Sequence, residues 1–331
     1  MQLYEVLIAW YKQNKRDLVF RKSKDPYKIW VSEIMAQQTR IDSMLPYFER
    51  WIAKWPSVED LAQASLEEIL FAWQGLGYYN RARKLHAGAK FVCEKYSGQL
   101  PANVEQLKEI PGIGAYTAGA IGSIAFGLRA PAIDGNVLRV TTRMMKIKED
   151  ITKKSTMEKV YDHIYTWMSN CDTSAFTQGL MEIGSLICLP KKPQCMLCPL
   201  NAFCLSFADG TQLNYPIKKA AKPPLELQMH TYYITNSKQE ILLSEDWSDG
   251  LMKGILRLPQ YTEMSLDLME AKAVEKRRFV FSHRVWNMQC YKLHAEIMPL
   301  PYTFWVKESE LNQMTLVTAH RKWLTEMGVL K

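Results

Sequence analysis

Apolar residues recur three and four positions apart from Tyr4 to about Phe207, in YEVLIAWY, PYKIWVSEIMAQQ, MLPYFERWIAKW, LEEILFAW, RARKLHAGAKFV and YDHIYTWM. That spacing lines one face of a helix, so the greater part of the chain reads as helix after helix. Short connectors rich in Pro, Gly, Asp and Ser separate the runs, as tight turns between bundled helices require. The texture then changes. NYPIKKAAKPPLELQ carries three prolines and three lysines without helical periodicity, and it reads as a linker over 213–228. Beyond it, TYYIT, ILLSE, RRFVFSH and VWNMQCYKLHAEI have strand character, and AHRKWLTEMGVL closes the chain as an amphipathic helix. The expected organisation is a mainly α region over 1–212 and a smaller α+β domain over 229–331.

Length supports two domains, because 331 residues exceed the size at which a single hydrophobic core keeps growing. With 47% hydrophobic and 23% charged residues, the composition is that of an ordinary globular protein and argues against disorder. The opening MQLYEVLIAWYKQNKRD alternates apolar and charged residues and lacks the apolar stretch and cleavage site of a signal peptide. No run reaches the roughly 18 apolar residues of a membrane helix. A cytoplasmic protein with no membrane partner is therefore expected. The net charge of +8 favours a polyanionic partner but by itself is weak support for one.

Four of the seven cysteines fall at Cys188, Cys195, Cys198 and Cys204, a C-x6-C-x2-C-x5-C pattern. In a reducing compartment such crowding points to metal rather than disulfides. Structural zinc usually takes two C-x2-4-C pairs, and only Cys195 and Cys198 form one, so an iron-sulfur cluster is favoured with zinc as the alternative. Lys191 and Lys192 sit on the loop between the first two cysteines, where they could meet phosphates or simply be solvated. Cys93, Cys171 and Cys290 stand apart and read as ordinary thiols.

Upstream, LKEIPGIGAYTAGAIGSIAF reads as a helix, a Pro-Gly-Ile-Gly turn and a second helix. Gly112 and Gly114 allow positive φ and close backbone approach, and the free amides opening the second helix can bind a phosphate. A plain interhelical turn would look the same. Two acids stand out nearby. Asp134, in PAIDGNVLRV, reads equally as a helix N-cap. Glu33, in IWVSEIMAQQTR, reads equally as a helix-dipole residue on a solvated face.

Together these stretches resemble the helix-hairpin-helix, Gly/Pro-Asp superfamily of DNA glycosylases, and within it the MutY-type, adenine-specific branch. The resemblance runs through DPYKIWVSEIMAQQTR, PYFERW, WQGLGYYNRARKLH, IPGIGAYTAGAIGSIAFG, PAIDGNVLRV and the cysteine pattern. It implies a six-helix domain over about 22–133, an iron-sulfur domain built from about 1–21 and 134–212, and a Nudix-like lesion-recognition domain over 229–331. It implies one 4Fe-4S cluster on the four cysteines. The implied partner is double-stranded DNA holding an 8-oxoguanine:adenine mispair, and the implied protein is a bacterial, nucleoid-associated monomer.

The resemblance also assigns roles. Glu33 would be the general acid at adenine N7, with its pKa raised by burial, and Asp134 would stabilise or trap the sugar cation, with Tyr116 and Asn136 orienting the two acids. Gln37, Gln38 and Tyr78 match positions that open or brace the duplex once the base is flipped out. Phe20, Arg21, Ala36 and Gln178 fall at the base pocket, and Ser282 and His283, in FVFSHRVW, at the positions that recognise 8-oxoguanine. Relatives of the endonuclease III type carry a Schiff-base lysine where this chain has Tyr116, and a phenol forms no imine, so a monofunctional glycosylase is expected. No Nudix box is present, so the C-terminal domain is expected to read rather than hydrolyse.

Some pocket positions depart from the pattern. Leu18-Val19-Phe20-Arg21 replaces the usual Leu-Pro-Trp-Arg, Ala36 stands where Leu is common, Thr177 stands where Asn is usual, and GILRLPQ replaces a Trp-containing segment. Steric changes of this size are worth roughly 1–3 kcal/mol of discrimination. A glycosylase of the same fold with another base or mispair preference, or a non-catalytic cluster protein that binds DNA, are the alternative readings.

Overall fold

The computed structural model describes residues 2–219, 223–248, 252–265, 268–281 and 284–330. It divides into two compact units, residues 1–64 with 80–220 and residues 65–79 with 221–331. The first unit is helical and the second is α+β, the fold class the apolar spacing predicts.

The first unit contains α1 (Leu3–Asn14), α2 (Pro26–Ala36), α3 (Ile41–Lys54) and α4 (Val58–Gln63). The next helix, α5 (Leu66–Ala72), belongs to the second unit. The first unit resumes with α6 (Asn80–Tyr96), α7 (Val104–Glu109), α8 (Ala115–Ile124), α9 (Gly135–Met145), α10 (Lys154–Trp167), α11 (Thr173–Glu182) and α12 (Leu205–Ala208). Local chemistry sets many of these starts. Asp25 caps α2 by accepting from the Tyr27 amide, with Pro26 in the first turn, and Asn103, Asp134 and Asp172 cap α7, α9 and α11. A single π-helical turn, Ile183–Ile187, continues α11 towards Cys188. Leu7 packs there with Val137, Val140, Val160, Ile164, Phe176 and Leu180, and Cys188, Cys198 and Cys204 lie against this core.

The hairpin α7–turn–α8 forms as its glycines require. Gly112 has φ +89°, and a Cβ there would stand 2.8 Å from Cβ of Lys84. From the other side, a Cβ on Gly88 of α6 would fall 2.6 Å from the Pro111 carbonyl oxygen, so helix and turn touch backbone to backbone.

The second unit adds β1 (Leu225–Thr235), β2 (Glu240–Ser244), β3 (Gln260–Tyr261), β4 (Lys272–Val280), β5 (Arg284–His294), β6 (Thr303–Lys307) and α13 (Thr318–Glu326). The sheet runs β4-β5-β1-β2-β6, with β3 beside β1. Only β1 and β5 pair in parallel among the described strands, from Leu225 opposite Arg284 to Thr235 opposite His294. This mixed sheet is consistent with a Nudix-like domain.

Two boundaries differ from the sequence expectation. β1 begins at Leu225, inside the segment read as linker, and the other end of that segment is fastened to the first unit. Tyr215 is buried, its carbonyl accepts from Arg143 Nε at 3.0 Å, and the Ile217 carbonyl accepts from the Ile151 amide. Lysine and proline content marked the stretch as free of helix but gave no sign of these backbone bonds. Residues 65–79, inside the expected six-helix span, group with the second unit. Among the described residues no helix is long and apolar enough to cross a membrane.

Candidate active site

Three elements bring three of the expected residues together. Glu33 lies in the last turns of α2, Tyr116 in the first turn of α8, and Asp134 at the N-cap of α9. Tyr116 Oη donates a short hydrogen bond to Glu33 Oε2. Asp134 Oδ1 accepts from the Val137 amide at 2.7 Å, and Oδ2 accepts from Asn136 Nδ2 at 3.0 Å. The N-cap reading of Asp134 therefore holds, and it does not compete with a site role: one oxygen caps the helix while the same carboxylate faces a cavity. The approach of α8 to this segment depends on Gly119, where a Cβ would stand 2.2 Å from the Pro131 carbonyl oxygen.

That cavity measures about 670 Å³, large enough for a purine with its sugar. Its walls include Glu33, Tyr116, Asp134, Asn136, Phe20, Arg21, Ala36, Gln37, Gln38 and Gln178. The solvated-face reading of Glu33 is not what the structure shows. Burial raises its pKa most and the Asp134 charge adds to the rise, while the Tyr116 hydrogen bond and the Arg21 charge oppose it. Burial also pushes the Tyr116 phenol well above its usual range, with the Glu33 and Asp134 charges adding. A carboxyl whose pKa is raised thus shares a cavity with a second carboxylate, the pairing that general acid chemistry with cation stabilisation needs.

Sequence reasoning missed another residue of the cavity wall. Glu182 is fully buried at the end of α11 and meets Arg16 at 2.7 Å and Arg21 at 2.5 Å. Burial works against its charge, but Arg16 and Arg21 outweigh that and hold its pKa below the usual value. Glu182 lies 166 positions from Arg16, so no local spacing links them.

Asn136 is itself held. Its Oδ1 accepts from Arg139 Nη2 at 2.8 Å, and Arg139 also donates to the carbonyls of Gly184 and Cys188, each at 2.7 Å. A Cβ on Gly184 would reach 2.5 Å from the Asn136 Cβ, so only glycine lets the π turn come this close. Beyond it, all four predicted cysteines line one small cavity with Val140, Ile187 and Arg143. Arg143 Nη1 donates to Cys188 Sγ at 3.3 Å and to the Leu189 carbonyl at 2.8 Å. Among the described residues no three His, Cys, Asp or Glu side chains are grouped so as to hold a single metal ion.

The other predicted residues of the first unit, apart from the cysteines, do not line the cavity. Gly112 forms the hairpin turn and Gly114 caps α8 with open space at its Cα. Lys191 and Lys192 are exposed on the cysteine loop. Tyr78, exposed and with φ +51°, belongs to the second unit. Ser282 and His283 lie outside the described residues.

Comparison with known proteins identifies the family. The profile of the HhH-GPD superfamily base excision DNA repair proteins matches residues 31–164. The adenine DNA glycosylase of Rattus norvegicus is 31% identical over 96% of this chain and 76% of its own length. That of Homo sapiens is 30% identical over 96% and 72%, and that of Buchnera aphidicola subsp. Schizaphis graminum (strain Sg) is 34% identical over 78% and 74%. Among solved structures, a thermostable thymine-DNA glycosylase superposes with a TM-score of 0.56 at 25% identity, covering 62% of this chain and 95% of that one. Endonuclease III in a non-covalent complex with DNA gives 0.53 at 23% identity, covering 63% and 95%, a likeness of fold.

Proposed function

The chain belongs to the adenine DNA glycosylases within the HhH-GPD superfamily of base excision repair proteins, and on that premise we propose that it removes adenine mispaired with 8-oxoguanine or guanine in double-stranded DNA. The hydrogen bond from Tyr116 to Glu33, beside Asp134 in one cavity, carries this reading.

The adenine leaves the stack and enters the cavity, at a cost of a few kcal/mol. Glu33, its pKa raised by burial, donates its proton to adenine N7 as the N-glycosidic bond lengthens, and the base departs neutral. The bond electrons go to the base, leaving an oxocarbenium-like sugar that the Asp134 carboxylate stabilises or traps. Asn136 keeps that carboxylate turned to the cavity, and Tyr116 fixes the Glu33 oxygen. Water completes the hydrolysis and leaves an abasic site. Phe20, Arg21, Ala36 and Gln178 form the base pocket, Gln37, Gln38 and Tyr78 open the duplex, and Gly112, Gly114, Lys191 and Lys192 bind its backbone. Ser282 and His283 read the 8-oxoguanine. With Tyr116 in place of an amine, no Schiff base forms and the strand stays intact.

Cys188, Cys195, Cys198 and Cys204, which line one small cavity, would hold a 4Fe-4S cluster. Cys188 follows the π turn and the other three lie on the segment after it, so these residues would fasten that segment to the end of the π turn.

Duplexes holding adenine, guanine or hypoxanthine opposite 8-oxoguanine or guanine test the reading, with abasic sites cleaved by alkali. Selective cutting at adenine opposite 8-oxoguanine, only after alkali, is the expected result. Excision of another base would favour the second reading, in which Phe20 and Ala36 redirect the pocket they line. Excision unchanged in Glu33→Gln would sink the assignment of the acid, and no excision by the wild type would leave a DNA-binding protein only.

A further inference from the structure

One side chain of α6 takes several backbone oxygens at the end of α2. Arg81, in the first turn of α6, donates from Nη1 to the carbonyls of Ile34 at 3.0 Å and Met35 at 2.9 Å, and more closely to that of Gln37. Its Nη2 donates to Thr39 Oγ1 at 3.2 Å. The last carbonyls of a helix lack partners within it, and a cation there complements the dipole. Arg81 does more than cap, because its contacts continue past the helix to both sides of Gln38. Gln38 is exposed with φ +57°, a conformation that residues other than glycine rarely adopt and that persists only where neighbours impose it. Gln37 is tied separately, its Nε2 donating to Thr117 Oγ1 at 3.4 Å.

We propose that Arg81 is a positioning residue for duplex opening: its guanidinium clamps residues 34–39 so that Gln38 stands out from the protein in the one conformation that can enter the gap left by the flipped base. This rests on the glycosylase reading of the site. Glu33 lies on the same helix but has its own anchor in Tyr116, so loss of Arg81 leaves the acid in place while the wedge drifts. Opening and bond cleavage are then separable. A lysine would keep the charge, yet one ammonium has no planar fork to span from the Ile34 carbonyl to the Thr39 hydroxyl.

The test is single-turnover excision by full-length wild type, Arg81→Gln, Arg81→Lys, Gln38→Ala and the Arg81→Gln/Gln38→Ala double variant at saturating enzyme. One substrate pairs adenine with 8-oxoguanine; the other has the same adenine opposite an abasic site, where no pair must be broken. Both Arg81 variants should lose about tenfold or more on the paired substrate and less than about threefold on the opened one. A 2-aminopurine beside the target should brighten more slowly, and the double variant should be no slower than the slower single, since coupled residues are not additive. Equal losses on both substrates, rescue by lysine, or additive losses would overturn the proposal while the wild type remains an active glycosylase. A wild type inactive on both substrates would instead remove the glycosylase reading.

Discussion

One guanidinium joins Asn136 to the backbone of Cys188: Arg139 donates to the Asn136 side-chain oxygen at 2.8 Å and to the Cys188 carbonyl at 2.7 Å. Since Asn136 in turn donates to Asp134, the orientation of a cavity carboxylate depends on a loop that ends in thiols. Arg139→Gln should keep the helix and lose the span. Excision should fall about 10- to 100-fold, the usual cost of removing a group that orients a reacting one. Iron content and visible absorbance should fall less than the rate. Wild-type excision in a folded Arg139→Gln protein would show that Asp134 needs no such support.

Glu33 and Tyr116 give a pH prediction with a definite sign. On the proposed mechanism excision needs Glu33 protonated, and burial raises its pKa, so the rate should hold at low pH and fall as pH climbs through that raised value. Because its folded pKa is raised, ionising Glu33 also costs stability as pH rises. The Tyr116 hydroxyl lowers the Glu33 pKa by donating to the carboxylate. Tyr116→Phe should therefore move the falling limb to higher pH, and Glu33→Gln should lose about 100- to 10,000-fold on the low-pH plateau and less above the falling limb. Single-turnover rates across the range check both, and a limb that moves to lower pH in Tyr116→Phe would contradict the hydrogen-bond account.

What was legible in the sequence was whatever rests on local chemistry. Three-and-four spacing marks α2, α3, α6 and α10, and the glycine-rich turn marks the hairpin, because a helix face and a positive φ are set within a few residues. Glu33, Tyr116 and Asp134 were found through motifs; their shared cavity was not deducible, since it takes α2, α8 and α9 packed together. The roles of Glu182 and Arg81 were not legible, although Arg81 lies in the WQGLGYYNRARKLH motif, as their partners lie 166 and up to 47 positions away. The strands β3 and β6 were also missed: β3 has two residues, and β6 is recognisable mainly by its pairing with β2. Two-residue pairing and backbone docking of Tyr215 are tertiary effects that propensity does not encode.

The four thiols make a chemical prediction. Purified protein should carry about four irons and four acid-labile sulfides per chain, with broad visible absorbance. Cys198→Ser should lose iron and loosen the loop that packs against Leu7 and Val140, so proteolysis between residues 188 and 204 should speed up. One zinc per chain and no sulfide would replace the cluster by a structural ion.

Glu182 separates stability from catalysis at the same cavity. Its carboxylate is fully buried between Arg16 and Arg21, and removing one partner of a buried pair typically costs about 3–5 kcal/mol. Glu182→Ala leaves two cations facing the cavity without their anion, and Tm should fall by roughly 6–20 °C at the usual slope for a unit of this size. The pH dependence has the opposite sign to that of Glu33. The folded pKa of Glu182 is depressed, so its stabilisation is present above the ordinary glutamate value of about 4.3 and is lost as pH falls through the depressed one. Wild-type Tm should thus decline in acid more steeply than that of Glu182→Gln, whose neutral amide has no proton to take up. Parallel acid limbs in the two proteins, measured by thermal unfolding without DNA, would show that the ion pair does not set the acid stability of this unit.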